Sequence, residues 1–313
     1  MTKTKLAIVI PCYNEEQVLP TTVERMQTLL EKLVSDGRIS PDSTVTFVDD
    51  GSKDRTWSLI EDASLANPVF RGIKLSRNRG HQNALMAGLL TVEGDAVISV
   101  DADLQDDLAA IEQMVIKHHE GADVVYGIRS RRVTDTLFKR MSAEGYYHLL
   151  KMLGVDVVFN HADYRLMSRA AINALSQFKE VNLFLRGIIP QLGFHTAEVY
   201  YERAERFAGE SKYPLGKMLA FAWDGLTSFS SKPLRWITAT GSIISIFSFF
   251  IGAWALVAGL IGGRTIPGWA STVIPVYFLG GIQLLSLGVI GEYVSKIYLE
   301  SKQRPRFIIE KKV

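Results

Sequence analysis

The sequence predicts an α/β protein whose mostly parallel sheet is covered by helices on both faces and is followed by a transmembrane helical hairpin. Short apolar runs alternate with stretches of helical periodicity through the first part of the chain, a rhythm typical of parallel sheets with helices on both faces. Further along, Trp236–Ile261 and Thr265–Gly291 contain no charged side chain. Each stretch exceeds the ~20 residues that a helix needs to cross a bilayer.

Five short apolar runs are predicted to be the strands of the sheet, because each reads as a buried parallel strand. They are Leu6–Ile10, Val45–Val48, Ile73–Leu75, Ala96–Val100 and Val124–Tyr126. Helical patterns lie between them. The first runs from Val18 to Leu33, and another follows Gly80. A helix between these two begins near Thr56, with Ser52 or Asp54 as its cap.

Length and composition narrow the classes of protein. A chain of 313 residues suggests two domains. The net charge of +2 excludes nucleic-acid binding through bulk electrostatics. The single cysteine, Cys12, excludes an intrachain disulfide. The N-terminal apolar run ends at Pro11 and is too short for the apolar core of a signal peptide.

The two predicted spans, at about 236–261 and 270–294, are joined by a short loop that carries only Arg264 as a basic residue. Two buried core helices are the alternative, but they would need a larger soluble shell than this chain offers. Lysines and arginines flank the pair on both outer sides. The positive-inside rule therefore predicts that both termini are cytoplasmic.

These features divide the chain into a cytoplasmic α/β domain at 1–205, juxtamembrane amphipathic helices at 206–235, the spans at 236–297 and a cytoplasmic tail at 298–313. Apolar residues at 215–229 recur at helical spacing. They indicate an interfacial helix, with an ordinary core helix as the alternative. Small residues four apart in the first span provide a helix-packing face, and we expect a homo-oligomer.

Polar and acidic residues follow three of the predicted strands, at Tyr13–Glu15, Asp49–Asp50 and Asp101–Asp103. Ligands of parallel sheets bind beyond the carboxyl ends of the strands. Residues i and i+2 of an extended segment point the same way, so Asp101 and Asp103 can bind one ligand. Two carboxylates suit Mg²⁺ or Mn²⁺, which also bind substrate phosphates. A solvated turn is the alternative interpretation of these two acids.

Eight ordered segments carry a resemblance to a known family. The first four are Ile10–Glu16, Val48–Thr56, Arg77–Gly80 and Asp101–Asp106. They resemble the motifs of family 2 glycosyltransferases of the GT-A fold. The next four are Tyr126–Arg129, Lys139–Ser142, Asp163–Leu166 and Gly209–Tyr213. With the two spans, they resemble polyprenyl-phosphate glycosyltransferases, most closely bacterial bactoprenol (undecaprenyl-phosphate) glucosyltransferases, to which dolichol-phosphate mannosyltransferases are related.

The resemblance implies an activity. It implies the metal-dependent transfer of glucose from UDP-glucose to undecaprenyl phosphate, by a single inverting displacement. The membrane would be the bacterial inner membrane, with the catalytic domain on its cytoplasmic side. Another donor on the same acceptor, GDP-mannose or UDP-aminoarabinose, is the alternative. An inactive membrane scaffold is the distant alternative.

The resemblance also implies roles for particular residues. Residues implied to bind the donor nucleotide are Pro11, Tyr13, Glu15, Asp50, Asp101, Gln105, Arg206 and Lys212. Those implied to bind Mg²⁺ or Mn²⁺ are Asp101, Asp103 and Gln105. Those implied to bind the acceptor phosphate are Arg129, Lys139, Arg140 and Ser142, with Arg131 extending the basic patch. The implied catalytic residues are Asp163, Asp103 and Arg129.

Asp163 lies where the family has a catalytic aspartate, but the acceptor chemistry leaves its role open. A lipid monophosphate has a second pKa near ~6 and arrives largely ionised, so it needs no base. Proton abstraction, orientation of Arg165 or of sugar hydroxyls, and a structural ion pair with Arg165 are the three interpretations. We expect electrostatic stabilisation by a divalent ion and basic residues to dominate.

The histidines have no spacing typical of a metal site. His81, His118, His119 and His161 are predicted to be surface or packing residues. His161 is the exception to test, because it lies two residues before Asp163.

Overall fold

Eight strands form one mixed sheet, with parallel pairs at its centre. A computed structural model of the protein describes residues 3–103, 105–129, 161–181, 183–202, 234, 236–244, 246–247, 249–250, 254 and 269–313. The strands are β1 (Leu6–Cys12), β2 (Thr44–Asp49), β3 (Phe70–Leu75), β4 (Ala96–Ser99), β5 (Val124–Arg129), β6 (His161–Ser168), β7 (Thr196–Tyr201) and β8 (Ile309–Lys312). Their order across the sheet is β7-β5-β6-β4-β1-β2-β3-β8.

The strand directions confirm the predicted α/β class with a mostly parallel sheet. β1 pairs in parallel with β2 and β4, and β2 pairs in parallel with β3. β5 and β7 form another parallel pair. β6 runs antiparallel between β4 and β5, and β8 runs antiparallel to β3. The five strands predicted from apolar runs are all present, whereas β6, β7 and β8 were not predicted.

Helices cover both faces of the sheet because the central strands are apolar on both sides. The helices are α1 (Leu19–Ser35), α2 (Thr56–Ala66), α3 (His81–Thr91), α4 (Ala110–His119), α5 (Arg169–Leu175) and α6 (Leu185–Gln191). Ile8 and Ile10 belong to the core cluster that also contains residues of α1, α2 and α4. Val9 points to the other face and lies against Gly88 of α3. Successive residues of β1 therefore pack against different helices.

The C-terminal residues form an edge strand of the same sheet. Gly72 and Val313 exchange two backbone hydrogen bonds, of 2.9 and 3.0 Å between nitrogen and oxygen. Ser76 donates a third, of 3.0 Å, to the carbonyl of Ile308. The chain divides into two compact units, and residues 304–313 belong to the unit that contains the sheet. Residues that the sequence analysis places in a tail thus include a strand.

The other unit contains a long helix, α7 (Trp269–Ser301). Its 33 residues correspond to about 50 Å at a rise of about 1.5 Å per residue. Within the described part of the chain, one segment is long and apolar enough to cross a membrane, Phe278–Ser301, with a mean hydropathy of 1.3. Residues 236–244 are helical, but most of the second half of the first predicted span and nearly all of the predicted interfacial segment lie outside the described residues.

Candidate active site

Two loops at the carboxyl ends of β1 and β2 are joined by hydrogen bonds between side chains and backbone. The Asn14 N–H donates to the Ser52 hydroxyl at 2.9 Å, and the Asn14 side-chain oxygen accepts from the Lys53 N–H at 2.9 Å. The Glu15 N–H donates to the Thr56 hydroxyl at 2.8 Å. Asn14 has a φ of 56°, a left-handed conformation that asparagine tolerates better than most residues. These bonds fix the conformation of the segment that carries the predicted donor-binding residues.

The predicted donor-binding residues of β1 lie together at this edge of the sheet. Pro11 is buried and pairs with Val48 of β2. Tyr13 is exposed and Glu15 is half-buried, one residue and three residues beyond the end of β1. An aromatic ring and a carboxylate have the chemistry to bind a ligand that carries a base and a ribose. The role of these three residues in donor binding stays a prediction.

Asp50 organises the neighbouring loop. One carboxylate oxygen accepts from the Arg79 N–H at 2.7 Å and the other from the Gly80 N–H at 2.9 Å. Burial raises the pKa of Asp50 although these two amides favour the ionised form. Gly51 has a φ of 69°, and a Cβ there would lie 2.6 Å from the Asn78 nitrogen. Asp50 therefore shapes the loop before α3, a role that the sequence analysis did not assign to it.

The acids that follow β4 are crowded together. Asp103 accepts a hydrogen bond of 3.2 Å from the backbone N–H of Gln105, and Gln105 is buried. Burial, together with the carboxylates of Asp106, Asp163 and Asp103, raises the pKa of Asp101 to about 6, although His81 acts in the opposite direction. Repulsion between these acids is relieved by a bound cation, so the residues fit the divalent ion predicted from the sequence. Within the described residues, no group of three or more His, Cys, Asp or Glu side chains has the arrangement of a metal site.

The antiparallel strand β6 brings Asp163 to the same edge. Ser99 of β4 pairs with Arg165 of β6. Two residues further along the antiparallel register, Asp101 comes opposite Asp163. The start of β6 therefore lies beside the carboxyl end of β4.

Asp163 is held by two arginines. Arg165 follows it by two residues on β6, is 1% exposed and donates a charged hydrogen bond to Asp163 Oδ1. Arg186 of α6 approaches the two carboxylate oxygens at 3.4 and 3.5 Å. Burial by itself would raise the pKa of Asp163, but Arg165 and Arg186 outweigh it and hold the pKa well below its usual range. Asp163 is therefore an ionised group at neutral pH and a weak base.

His81 is exposed, as predicted for a surface residue, and it also contacts two carboxylates of this site. Its Nε2 lies 3.5 Å from Asp101 Oδ1 and 3.7 Å from Asp163 Oδ2. His81 is the first residue of α3, which starts at the carboxyl edge of the sheet. These two contacts were not predicted because the carboxylates are distant from His81 along the chain.

Arg129 at the end of β5 takes part in a second buried network. The Tyr201 hydroxyl donates to Asp106 Oδ1 at 2.6 Å. Arg129 donates to that same oxygen at 3.3 Å and to the Tyr201 hydroxyl at 3.2 Å. Burial works against the charge of Arg129, but Tyr201 and Asp106 outweigh it and raise its pKa. Arg129 is thus a fixed, permanently charged group beside the acidic cluster.

Several predicted residues lie outside the described part of the chain. They are Arg131, Lys139, Arg140 and Ser142 of the acceptor patch and Arg206 and Lys212 of the donor set. Their roles stay predictions. Asp106 and Tyr201 contact the predicted site residue Arg129 but were given no role from the sequence. The position of Asp106, directly after the predicted metal-binding residues, was the signal in the sequence that could have indicated it.

The fold and this edge of the sheet define a glycosyltransferase of the GT-A class. The solved structure of mannosyl-3-phosphoglycerate synthase from Rubrobacter xylanophilus has the same fold, with a TM-score of 0.50 at 14% sequence identity, over 76% of this chain and 75% of that chain. The sequence model described as "Glycosyl transferase family 2" matches residues 7–176. The chain belongs to this family, as the motifs indicated.

Curated relatives cover nearly the full length of the chain. The chain is 48% identical to an uncharacterized glycosyltransferase, YkoT, of Bacillus subtilis (strain 168), over 97% of this chain and 91% of the relative. It is 40% identical to the bactoprenol glucosyl transferase of Shigella phage SfV, over 98% of each. The protein is therefore an enzyme, a glycosyltransferase, and the predicted family is confirmed.

Proposed function

We propose that this enzyme transfers glucose from UDP-glucose to undecaprenyl phosphate and forms a lipid-linked glucosyl phosphate. The observation that carries the proposal is the 40% identity, over 98% of both chains, to a relative named bactoprenol glucosyl transferase. Such similarity along the whole length includes the segments outside the α/β domain. It therefore supports a common lipid acceptor as well as a common fold.

The acidic edge supports binding of a nucleotide diphosphate with a divalent ion. Asp101 and Asp103 supply two carboxylates. Gln105, two residues after Asp103, supplies an amide oxygen. Bound there, Mg²⁺ or Mn²⁺ would neutralise charge on the departing diphosphate. Tyr13 and Glu15, at the neighbouring strand end, are proposed to bind the nucleoside.

The reaction is proposed as one displacement. An oxygen of the acceptor phosphate forms a bond to C1 of the sugar, while the bond from C1 to the diphosphate breaks and UDP leaves with the electron pair. The configuration at C1 is inverted. The acceptor phosphate is largely dianionic above its second pKa of ~6, so no proton has to be removed from it.

The arginines of the site have the charge that this reaction needs. Arg129 is fixed by Asp106 and Tyr201 and is proposed to bind the acceptor phosphate, since guanidinium groups bind phosphate oxygens in pairs of hydrogen bonds. Asp163 is proposed to orient groups in the site. Its low pKa and its two arginine partners argue against proton abstraction. Of the roles that were left open, orientation and the ion pair with Arg165 are the ones that the geometry supports.

We also propose that the protein is anchored in the bacterial inner membrane with both ends in the cytoplasm. The sheet contains strands from the start of the chain and the strand at 309–312. Residues on both sides of the membrane-anchoring unit are therefore on one side of the membrane. If α7 crosses the bilayer, a second crossing must precede it, as the apolar stretch at 236–261 indicates. A homo-oligomer remains part of this proposal.

A donor panel tests the proposed function. The full-length protein in lipid nanodiscs is given undecaprenyl phosphate, Mn²⁺ or Mg²⁺ and one labelled donor: UDP-glucose, GDP-mannose or UDP-aminoarabinose. We expect label in the organic extract with UDP-glucose only, and none after EDTA. The absence of labelled lipid with every donor would refute the proposed function. Labelled lipid from another donor alone would refute the choice of sugar and retain the acceptor.

Matched variants separate chemistry from folding. Asp103→Asn removes one proposed metal-binding charge and should abolish transfer while the thermal unfolding curve is kept. His119→Asn, whose imidazole contacts Thr4 at 2.9 Å far from the strand ends that carry the site, should leave transfer unchanged. Full activity in Asp103→Asn would refute the proposed metal-binding role of Asp103.

A further inference from the structure

We propose that His81 contacts the transferred hexose and sets which hexose the enzyme accepts; this inference rests on the proposed function. His81 connects two carboxylates that come from different strands. Asp101 follows β4 on the side proposed to bind the donor diphosphate, and Asp163 lies on β6 beside the two arginines. The sugar must lie between the donor diphosphate and the acceptor phosphate when it is transferred. His81 lies 3.5 Å from Asp101, on the proposed donor side, and 3.7 Å from Asp163, the group proposed to orient substrates.

The backbone that carries His81 is fixed. Gly80 directly precedes it with a φ of 86°, a conformation that glycine adopts without strain. The N–H groups of Arg79 and Gly80 are both bound by Asp50. Because the two residues before His81 are held by Asp50, the backbone at the first position of α3 has little freedom to move. Sugar selectivity needs this kind of preorganised contact group.

Accessibility distinguishes His81 from the groups around it. Its side chain is 44% exposed, whereas Asp163 is 10% exposed and Arg165 is 1% exposed. A ligand can therefore reach the imidazole and one edge of Asp163 but not the guanidinium of Arg165. An imidazole and an ionised carboxylate 3.7 Å apart offer a donor and an acceptor to adjacent hydroxyl groups.

The pair of His81 and Asp163 can distinguish hexoses by the orientation of their hydroxyl groups. A hexose that differs at one hydroxyl leaves a donor or an acceptor of the pair without its hydrogen bond. Sites built to bind a hydroxyl group reject substrates that fail to supply it, because the polar group of the protein stays unpaired. His81 and Asp163 would thus favour glucose over a stereoisomer such as galactose.

Binding and transfer are measured with three full-length proteins, wild type, His81→Asn and His81→Ala, with His119→Asn as the matched control. Dissociation constants are obtained for UDP and UDP-glucose with Mn²⁺, without lipid. Transfer to undecaprenyl phosphate is measured with UDP-glucose and UDP-galactose. Thermal unfolding shows whether each variant is folded.

In both His81 variants we expect kcat/KM for UDP-glucose to fall about tenfold, the size expected for one lost hydrogen bond. The preference for UDP-glucose over UDP-galactose should fall. We expect wild type to bind UDP-glucose more tightly than UDP because of the hexose contact, and this difference should be lost in both variants. Binding of UDP itself should not change, because UDP carries no hexose. His119→Asn should match wild type in every assay.

Each contrary result has a separate meaning. An unchanged donor preference together with unchanged hexose binding in folded His81 variants would overturn the inference and leave the proposed function standing. Equal loss of UDP and UDP-glucose binding would also overturn it, since His81 would then act on the nucleotide or metal. A wild-type protein that binds UDP-glucose more tightly than UDP, but labels no lipid, would refute the proposed acceptor. The binding arm would then still decide the role of His81.

Discussion

Replacing Asp163 by asparagine should destabilise the α/β domain strongly, because it leaves a buried guanidinium without its counter-charge. Arg165 is 1% exposed and Asp163 is 10% exposed. Burial lowers the pKa of Arg165 even though Asp163 attracts its charge, which shows how far this group is removed from water. Breaking a buried ion pair by removing one partner costs about 3–5 kcal/mol. For a domain of this size each kcal/mol shifts Tm by about 2–4 °C, so we expect a fall of roughly 6–20 °C.

The assay is thermal unfolding of the full-length protein in detergent, followed by circular dichroism at neutral pH. Glu112→Gln is the matched control, because Glu112 also contacts two cations, Lys32 at 3.0 Å and Arg38 at 3.9 Å. That cluster is exposed, and exposed pairs contribute little. We expect Glu112→Gln to unfold within about 3 °C of wild type.

Two further measurements make the reasoning refutable. Asp163 has a lowered pKa in the folded state, so its contribution is present above the unfolded value of about 3.9 and is lost as the pH falls below it. The difference in Tm between wild type and Asp163→Asn should therefore be constant from about pH 7 to 8, above the range in which Asp101 titrates. Adding Arg165→Met to Asp163→Asn should recover stability, because no buried charge is then unpaired. A Tm for Asp163→Asn no lower than that of Glu112→Gln would refute the argument.

Three other predictions follow from the acidic cluster, the edge strand and the Asp106 network. The pKa of Asp101 is raised to about 6, so without divalent ions Tm should fall as the pH rises through about 6; Mn²⁺ or the change Asp101→Asn should remove this dependence. Deleting residues 309–313 should lower Tm and increase aggregation, because the backbone edge of β3 is uncovered. Tyr201→Phe removes the 2.6 Å hydrogen bond to Asp106 and should destabilise the protein by about 1–3 kcal/mol and raise KM for the lipid acceptor.

Each of these predictions has an outcome that contradicts it. A Tm independent of pH between about 5 and 7 in EDTA would show that Asp101 is not perturbed by its neighbours. Unchanged Tm and solubility after the deletion would mean that β8 contributes nothing to the domain. A KM for the lipid acceptor equal to that of wild type in Tyr201→Phe would show that the hydrogen bond from Tyr201 to Asp106 does not fix the position of Arg129.

The central strands could be predicted from the sequence because their apolar residues are continuous. β1 is buried along its whole length, from Leu6 to Cys12, so it appears as an apolar run that no other element explains equally well. The acids after β4 were assigned to one ligand because residues i and i+2 of an extended segment share a face. His81 Nε2 lies 3.5 Å from Asp101 and 3.7 Å from Asp163, so acids from two strand ends do lie close together at this edge.

The outer strands could not be predicted, for identifiable reasons. β6 carries Asp163 and Arg165 on one face, so its apolar residues alternate with buried charges that resemble a surface loop. β8 has the sequence Ile-Glu-Lys-Lys, a charged edge strand without an apolar pattern. The contacts of His81 were not predicted, since its partners lie on β6 and after β4, and no local spacing records such contacts.

The pairing of β8 with β3 also determines when the sheet can be completed during synthesis. Residues 309–312 pair with β3, whose residues leave the ribosome more than two hundred positions earlier. Until residues 309–312 emerge, β3 therefore keeps an open backbone edge, although the apolar segments at 236–261 and 265–291 have already been synthesised. The sheet is consequently completed only after those apolar segments have been made. A chain truncated before residue 304 would carry the acidic site and the apolar segments but would lack β8.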